Sequence, residues 1–134
     1  MALKGWPYDN LTQLSEDLKA NGIALPLSEN LDVLKQPLTA GLVTVPNRLA
    51  IQPMEGCDGD HETGAPAELT WRRYQRFAEG GAGLIWFEAV SIVREGRANP
   101  RQLMITEENL DDYKRMVAMI KEKSLQKYGY APVV

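Results

Sequence analysis

Residues 82–89 read Ala82-Gly83-Leu84-Ile85-Trp86-Phe87-Glu88-Ala89, and the reading of this run decides the fold class. Its apolar residues do not alternate with polar ones, as they would in a strand with one face in water. Unbroken apolar character over so short a run predicts a strand covered on both faces, the condition of a parallel sheet between layers. Upstream, Thr70 is expected to cap a helix that aligns Trp71, Tyr74, Phe77 and Ala78 on one face, with Arg72, Arg73 and Arg76 at the other positions. Gly80-Gly81 stops that helix and turns the chain into the strand. Farther back, Leu49-Ala50-Ile51-Gln52 is a short apolar run ending at Pro53, as suits a strand whose last residue needs no ladder hydrogen bond. The polar stretch Glu55 to Thr63, closed by Gly64, can only be loop.

Downstream, a loop through Gly96, Asn99 and Pro100 leads to a second helix, expected over about Glu107–Gln126 with Thr106 as its cap. Leu110, Tyr113, Met116, Val117 and Ile120 form its buried stripe. Glu107, Glu108, Asp111 and Asp112 sit near its start and Lys121, Lys123 and Lys127 near its end, matching the helix dipole. Gly129 stops it, and Ala131-Pro132-Val133-Val134 begins another strand. The order strand, helix, strand, helix, strand requires a parallel sheet with crossover helices. A closed eight-unit barrel takes about 250 residues. This chain has 134, so the expected fold is the N-terminal part of a parallel (β/α)8 barrel, about two and a half units of it.

Residues 1–46 are read separately, as an N-terminal extension to the barrel units of residues 47–134. Leu11, Leu14 and Leu18 fall at helical spacing between Asn10 and Asn21, and Gly22 supplies the stop. From Ile23 to Pro46 the prolines predict irregular chain with a hairpin around Ala40-Gly41. The composition is that of an ordinary soluble domain, 44% hydrophobic and 25% charged with a formal net charge of -3. That balance gives no basic footprint for nucleic acid or anionic lipid. No apolar run approaches the roughly 20 residues that span a bilayer. The first residues lack the apolar core of a secretory signal, so cytoplasm is the expected location. The single cysteine, Cys57, excludes an internal disulfide framework.

Three pieces of sequence, in order and at matching separations, carry a family resemblance. They are Asn47-Arg48-Leu49-Ala50-Ile51-Gln52-Pro53-Met54, then Gly80-Gly81-Ala82-Gly83-Leu84-Ile85 leading to Glu88-Ala89, then Gly96-Arg97 with Asn99-Pro100-Arg101-Gln102-Leu103. From about Pro37 onward the chain resembles the Old Yellow Enzyme family, flavin-dependent NAD(P)H oxidoreductases built on a (β/α)8 barrel. The resemblance implies FMN as cofactor, NAD(P)H as hydride donor and a small electrophilic molecule such as an activated alkene as substrate. Carried over position by position, the cofactor-binding residues it implies are Pro53, Met54, Glu55 and Ala89. Each has a physical warrant: Pro53 stiffens the strand end, Met54 packs adaptably on an aromatic face, and Ala89 is small enough for close approach by a flat ring. Glu55 departs from the Thr or Cys common there. A carboxylate beside an electron-rich reduced flavin disfavours reduction unless it points away or is protonated.

The same resemblance places the family's His/Asn or His/His substrate anchor, proton-donating Tyr, flavin-contacting Gln and phosphate-gripping strands after Val134. No catalytic residue is therefore expected within the chain, and the 134 residues alone are expected to be inactive. Other patterns carry less. Glu55, Cys57, Asp58, Asp60, His61 and Glu62 suggest a metal cluster, but a calcium loop counted from Asp58 would need Gly and Glu where Thr63 and Leu69 stand, and zinc would need a second Cys/His pair. Nothing in the sequence brings Cys57 and His61 together as nucleophile and base. Gly80-Gly81-Ala82-Gly83 follows a helix and opens a strand, the reverse of a phosphate loop. Glu88 ends a strand, where barrel enzymes place functional groups; a structural bond to backbone or to an arginine is the competing reading. Arg97 and Arg101 are read as facing solvent rather than lining the mouth. The functional alternatives are a non-catalytic remnant that needs a partner to complete its sheet, and a metal-dependent barrel enzyme.

Overall fold

The computed structural model describes residues 5–134, so the first part of the segment read for a secretory signal lies outside the described residues. The chain forms two compact units, Met1–Val33 and Leu34–Val134. In the first, helix α1 spans Leu11–Ala20. The Asn10 side chain accepts a hydrogen bond from the Gln13 amide at 3.0 Å, capping one of the free N–H groups of the first turn. The helix ends in a Schellman motif: Gly22 adopts φ +68°, its N–H reaches Lys19 O, and the Ile23 N–H reaches Leu18 O at 2.8 Å.

The second unit opens with an antiparallel hairpin, β1 (Leu38–Ala40) and β2 (Val43–Val45), with Ala40 opposite Val43. Gly41 and Leu42 form a two-residue turn, and Gly41 takes the positive φ of +60° that such turns need. The hairpin expected around Ala40-Gly41 is therefore present. Next comes β3 (Ala50–Ile51), then α2 (Glu68–Ala78), β4 (Leu84–Ile85) and α3 (Leu110–Tyr128). β3 and β4 are parallel, with Ile51 opposite Ile85, and Val133 bridges in parallel to Leu84 on β4's other side. The spatial order β3, β4, Val133 follows the chain order, with one helix in each crossover, as the alternation predicts.

Both helices cover one face of this sheet. Tyr74 and Ala78 of α2, Met116 and Ile120 of α3 and Ile85 of β4 make the buried cluster, with Ile51, Trp71, Phe77, Phe87 and Met119 packed around it. The Tyr74 and Phe87 rings stack at 4.3 Å. The other face corrects the expectation of a strand covered on both sides. Ile85 is fully buried, whereas its neighbour Trp86 is 65% exposed and Leu84 half-buried, because successive residues point to opposite faces and α2 and α3 both pack on the face of Ile85. The strand termini opposite the carboxyl ends are clamped by Asn47. Its Oδ1 accepts from the Leu49 and Gly83 amides at 3.0 and 2.8 Å, and its Nδ2 donates to Gly81 O and the Tyr130 hydroxyl, both at 2.8 Å.

Three helix details differ from expectation. Ala67, not Thr70, precedes α2; the Thr70 hydroxyl instead accepts from the Ala67 amide at 3.2 Å and donates to Asp58, so the residue works from inside the first turn. Asn109, not Thr106, precedes α3, because its Oδ1 holds the Thr106 amide in a turn before the helix begins. Leu110 lies outside the buried stripe at 39% exposure, while Ser124 extends that stripe and donates to Tyr130 O. No helix among the described residues is long and apolar enough to cross a membrane.

Candidate functional site

The carboxyl ends of β3 and β4 finish side by side. Trp86 N–H donates to Ile51 O at 3.0 Å, which fixes the register at the last paired residues. Beyond it, Met54 N–H returns to Gln52 O at 2.8 Å, a turn centred on Pro53, whose ring holds the φ that such a turn needs. Pro53, Met54, Glu55 and Ala89 are all exposed on this rim, Met54 at 73%. The four residues expected to face a flat cofactor therefore lie on two adjacent chain segments, and Trp86, which ends the paired part of the second, is exposed.

Glu88, directly before Ala89, turns the other way. Its side chain is buried to 1% exposure and fully engaged. Oε2 accepts from the Gly56 amide at 3.0 Å, and Oε1 accepts from Arg73 Nη2 at 2.5 Å and the Tyr74 hydroxyl at 3.1 Å. Arg73 also forks onto Asp58, with Nε and Nη2 each 2.9 Å from a carboxylate oxygen. Burial alone would depress the Arg73 guanidinium, but its bonds to Asp58 and Glu88 outweigh burial and hold it above its ordinary value. Burial likewise pulls Asp58 upward, and the bonds from Arg73 and Thr70 more than reverse this, leaving its carboxyl below the usual range. Burial pushes the Tyr74 and Tyr113 phenols up, so both are neutral hydrogen-bonding groups at physiological pH. Arg73, read from the sequence as one of the residues off the apolar face, is thus a central partner of the rim.

The loops that follow β3 and β4 interlock. Arg97 donates to the backbone carbonyls of Asp60, His61, Pro100 and Gln102. This corrects its reading as a solvent-facing residue: a planar five-donor group is suited to gathering several carbonyls. Arg94 donates to Glu62 O, Asn109 to Thr63 O, and the Tyr113 hydroxyl to Gly64 O. A cleft of about 520 Å³ opens between the loops at Cys57, His61, Asn99, Pro100 and Arg101. The acidic loop is dispersed rather than convergent: Asp58 faces Arg73, Asp60 accepts from the Glu62 and Thr63 amides, and His61 pairs with Glu62. Cys57, at φ +47°, accepts from the Asn99 side-chain Nδ2 at 3.1 Å. Among the described residues no group of three or more His, Cys, Asp or Glu is arranged to hold a metal.

Of these features, sequence reasoning singled out Pro53, Met54, Glu55, Ala89 and Glu88, and it named backbone or arginine as the structural partner of Glu88; both partners are present. It missed Asp58, Arg73 and Gly56 as parts of one network. A signal existed for Arg73, which stands one turn from both Thr70 and Phe77 and so borders the buried face of α2.

Two adjoining parallel β/α units with an open rim at their carboxyl ends define a segment of a parallel α/β fold. Comparison gives the kind. An NADPH dehydrogenase of Bacillus cytotoxicus is 31% identical over 90 residues, 66% of this chain and 26% of that protein. Morphinone reductase, solved in complex with tetrahydroNAD, superposes with a TM-score of 0.58 at 26% identity, over 67% of this chain and 24% of that one. The old yellow enzyme of Trypanosoma cruzi gives a TM-score of 0.60 over 69% of this chain and 24% of that one; at 19% identity this is a likeness of fold alone. No family profile matches the chain. Over about two thirds of its length the chain is a relative of the Old Yellow Enzyme family, an oxidoreductase family, and it spans about a quarter of the length of the proteins it matches.

Proposed function

We propose that this chain is the first, flavin-facing part of an FMN-dependent NAD(P)H oxidoreductase that reduces small electrophilic molecules such as activated alkenes, on a (β/α)8 barrel that residues 47–134 begin. The carrying observation is the adjacency of the Pro53–Glu55 segment and Ala89 on one rim, fixed by the Trp86 to Ile51 hydrogen bond. The residues fit the ring. Met54 offers an exposed, polarizable thioether, Ala89 leaves room for a close approach, and Pro53 holds the segment in a turn. The names NADPH dehydrogenase and the tetrahydroNAD complex of morphinone reductase support a nicotinamide donor.

FMN, when bound, supplies hydride chemistry that amino acids lack, between a nicotinamide and an electrophilic carbon. This chain's part is to bind and orient. The Pro53–Glu55 segment and Ala89 form a wall that excludes water from one side of the ring, and Glu55 adds a carboxylate near that wall that opposes the accumulation of negative charge.

Titration of FMN into the purified chain, followed by flavin fluorescence, tests this reading. Saturable quenching with a shifted visible spectrum supports it, and unchanged free-flavin fluorescence at high protein concentration counts against it. One observation favours a second reading, a non-catalytic chain whose sheet is completed by a partner: Trp86 and Leu84 leave the second sheet face open and apolar. Light scattering separates the two, since a colourless obligate complex supports the partner reading and a monomer that binds FMN supports the first.

A further inference from the structure

The covalent neighbour of Ala89 is also the residue that anchors the opposite segment of the rim. Glu88 is contiguous with Ala89 through the backbone, while its buried carboxylate takes the Gly56 N–H, two residues beyond Met54. A buried carboxylate is costly unless every oxygen is engaged, and apolar replacement of such groups is often no less stable; where they persist, a role in fixing one arrangement is the hypothesis to test. Here both oxygens are engaged and the burial is nearly complete. The surroundings are shaped to permit it. A Cβ at Gly56 would collide with the Arg73 guanidinium, so the absence of a side chain lets that group rest against the backbone. Cys57 then takes φ +47°, unusual for a non-glycine, between two residues held from the core side: Gly56 by Glu88 and Asp58 by Arg73.

We propose that Glu88 is the positioning residue of the flavin wall, setting the height of Met54 and Glu55 against Ala89 by holding the Gly56 amide and the Arg73 guanidinium together. The proposal rests on the flavin reading above and adds to it a residue that never touches the ring. Arg73 and Asp58 extend the anchor to the next stretch of loop, so residues 56–58 are tied to α2 as well as to the end of β4.

The test uses the full chain and two variants. Glu88→Gln keeps the size but removes the charge that Arg73 requires. Glu88→Asp keeps the charge but is one methylene too short to hold Gly56 and Arg73 at once, and guards against failure of the first variant to fold. Amide hydrogen exchange at Gly56 and the FMN dissociation constant are read for each, with Ile120→Ala as a control that weakens the core away from the rim. The expected result is at least tenfold faster Gly56 exchange and about tenfold weaker FMN binding in both Glu88 variants. The control should melt at lower temperature with FMN affinity intact. Unchanged Gly56 exchange in both Glu88 variants overturns the anchor, as does a loss of FMN affinity in Ile120→Ala equal to theirs. Absence of FMN binding by the unmodified chain, with Gly56 exchange still accelerated in the variants, instead overturns the flavin reading and leaves a purely structural tether.

Discussion

Replacing Asn47 with alanine removes a side chain that joins the starts of β3 and β4 to the segment leading into Val133. Four hydrogen bonds are lost, from Leu49 and Gly83 N–H and to Gly81 O and the Tyr130 hydroxyl. Three of the partners keep another bond, since Gly83 N–H also reaches Leu49 O and the Tyr130 hydroxyl also donates to Gly81 O, which leaves only the Leu49 N–H without a partner. The expected cost therefore falls short of four orphaned groups. At about 0.5–1.5 kcal/mol net per bond, with partial compensation, it comes to about 3 kcal/mol. Against a total stability of roughly 5–15 kcal/mol, that is a large share. Urea unfolding followed by far-UV circular dichroism should show a lower midpoint with unchanged slope, because the surface exposed on unfolding stays the same. A change below about 0.5 kcal/mol, the size of an ordinary surface substitution, refutes the clamp.

The remaining predictions concern the core and the rim. Ile120→Ala truncates a fully buried side chain between the helices and the sheet, and should cost about 2–5 kcal/mol in the same assay; a loss under about 1 kcal/mol would mean the cluster is not packed as described. Asp58 is held below its ordinary value when folded, so between its lowered folded value and the unfolded one, near 3.9, the unfolded chain binds more protons and stability rises with pH. Its contribution is complete above about pH 5 and lost on acidification below about pH 4. Urea midpoints across that range should fall more steeply for the unmodified chain than for Asp58→Asn, and parallel slopes would contradict the assignment. Gly83→Ala places a Cβ 2.8 Å from the Asn47 backbone nitrogen and should destabilise the chain beyond the cost of an ordinary surface change, as differential scanning calorimetry would register; an unchanged transition temperature would argue against so close an approach.

What the sequence made legible was periodicity and punctuation. The stripe Tyr74, Met116 and Ile120 follows from helical spacing, and Gly22, Gly41, Gly81 and Gly129 all occupy positive φ at the stops and turns where a residue without Cβ is needed. The two-sided burial of residues 82–89 did not follow. An apolar run states what a strand can tolerate, and only the layers actually present decide which face is covered. The polar network was illegible for a related reason. Asp58, Arg73 and Glu88 stand at separations of fifteen residues each, and only the packing of α2 against the ends of β3 and β4 brings their charges together. Arg97 shows the same limit, since its carbonyl partners are loop backbone whose path no local pattern specifies. The expected cofactor residues were found by family resemblance, and their shared rim is a consequence of parallel register rather than of any property of Pro53 or Ala89 alone.

The most direct test of the account is FMN binding by Ala89→Trp beside the unmodified chain, followed by flavin fluorescence. Ala89 is exposed, so the larger side chain leaves the fold in place while occupying the space assigned to the ring. The account predicts saturable binding by the unmodified chain and at least tenfold weaker binding by the variant with an unchanged circular dichroism spectrum. Equal affinity in the two proteins would show that the rim between Pro53 and Ala89 is not where a flavin rests.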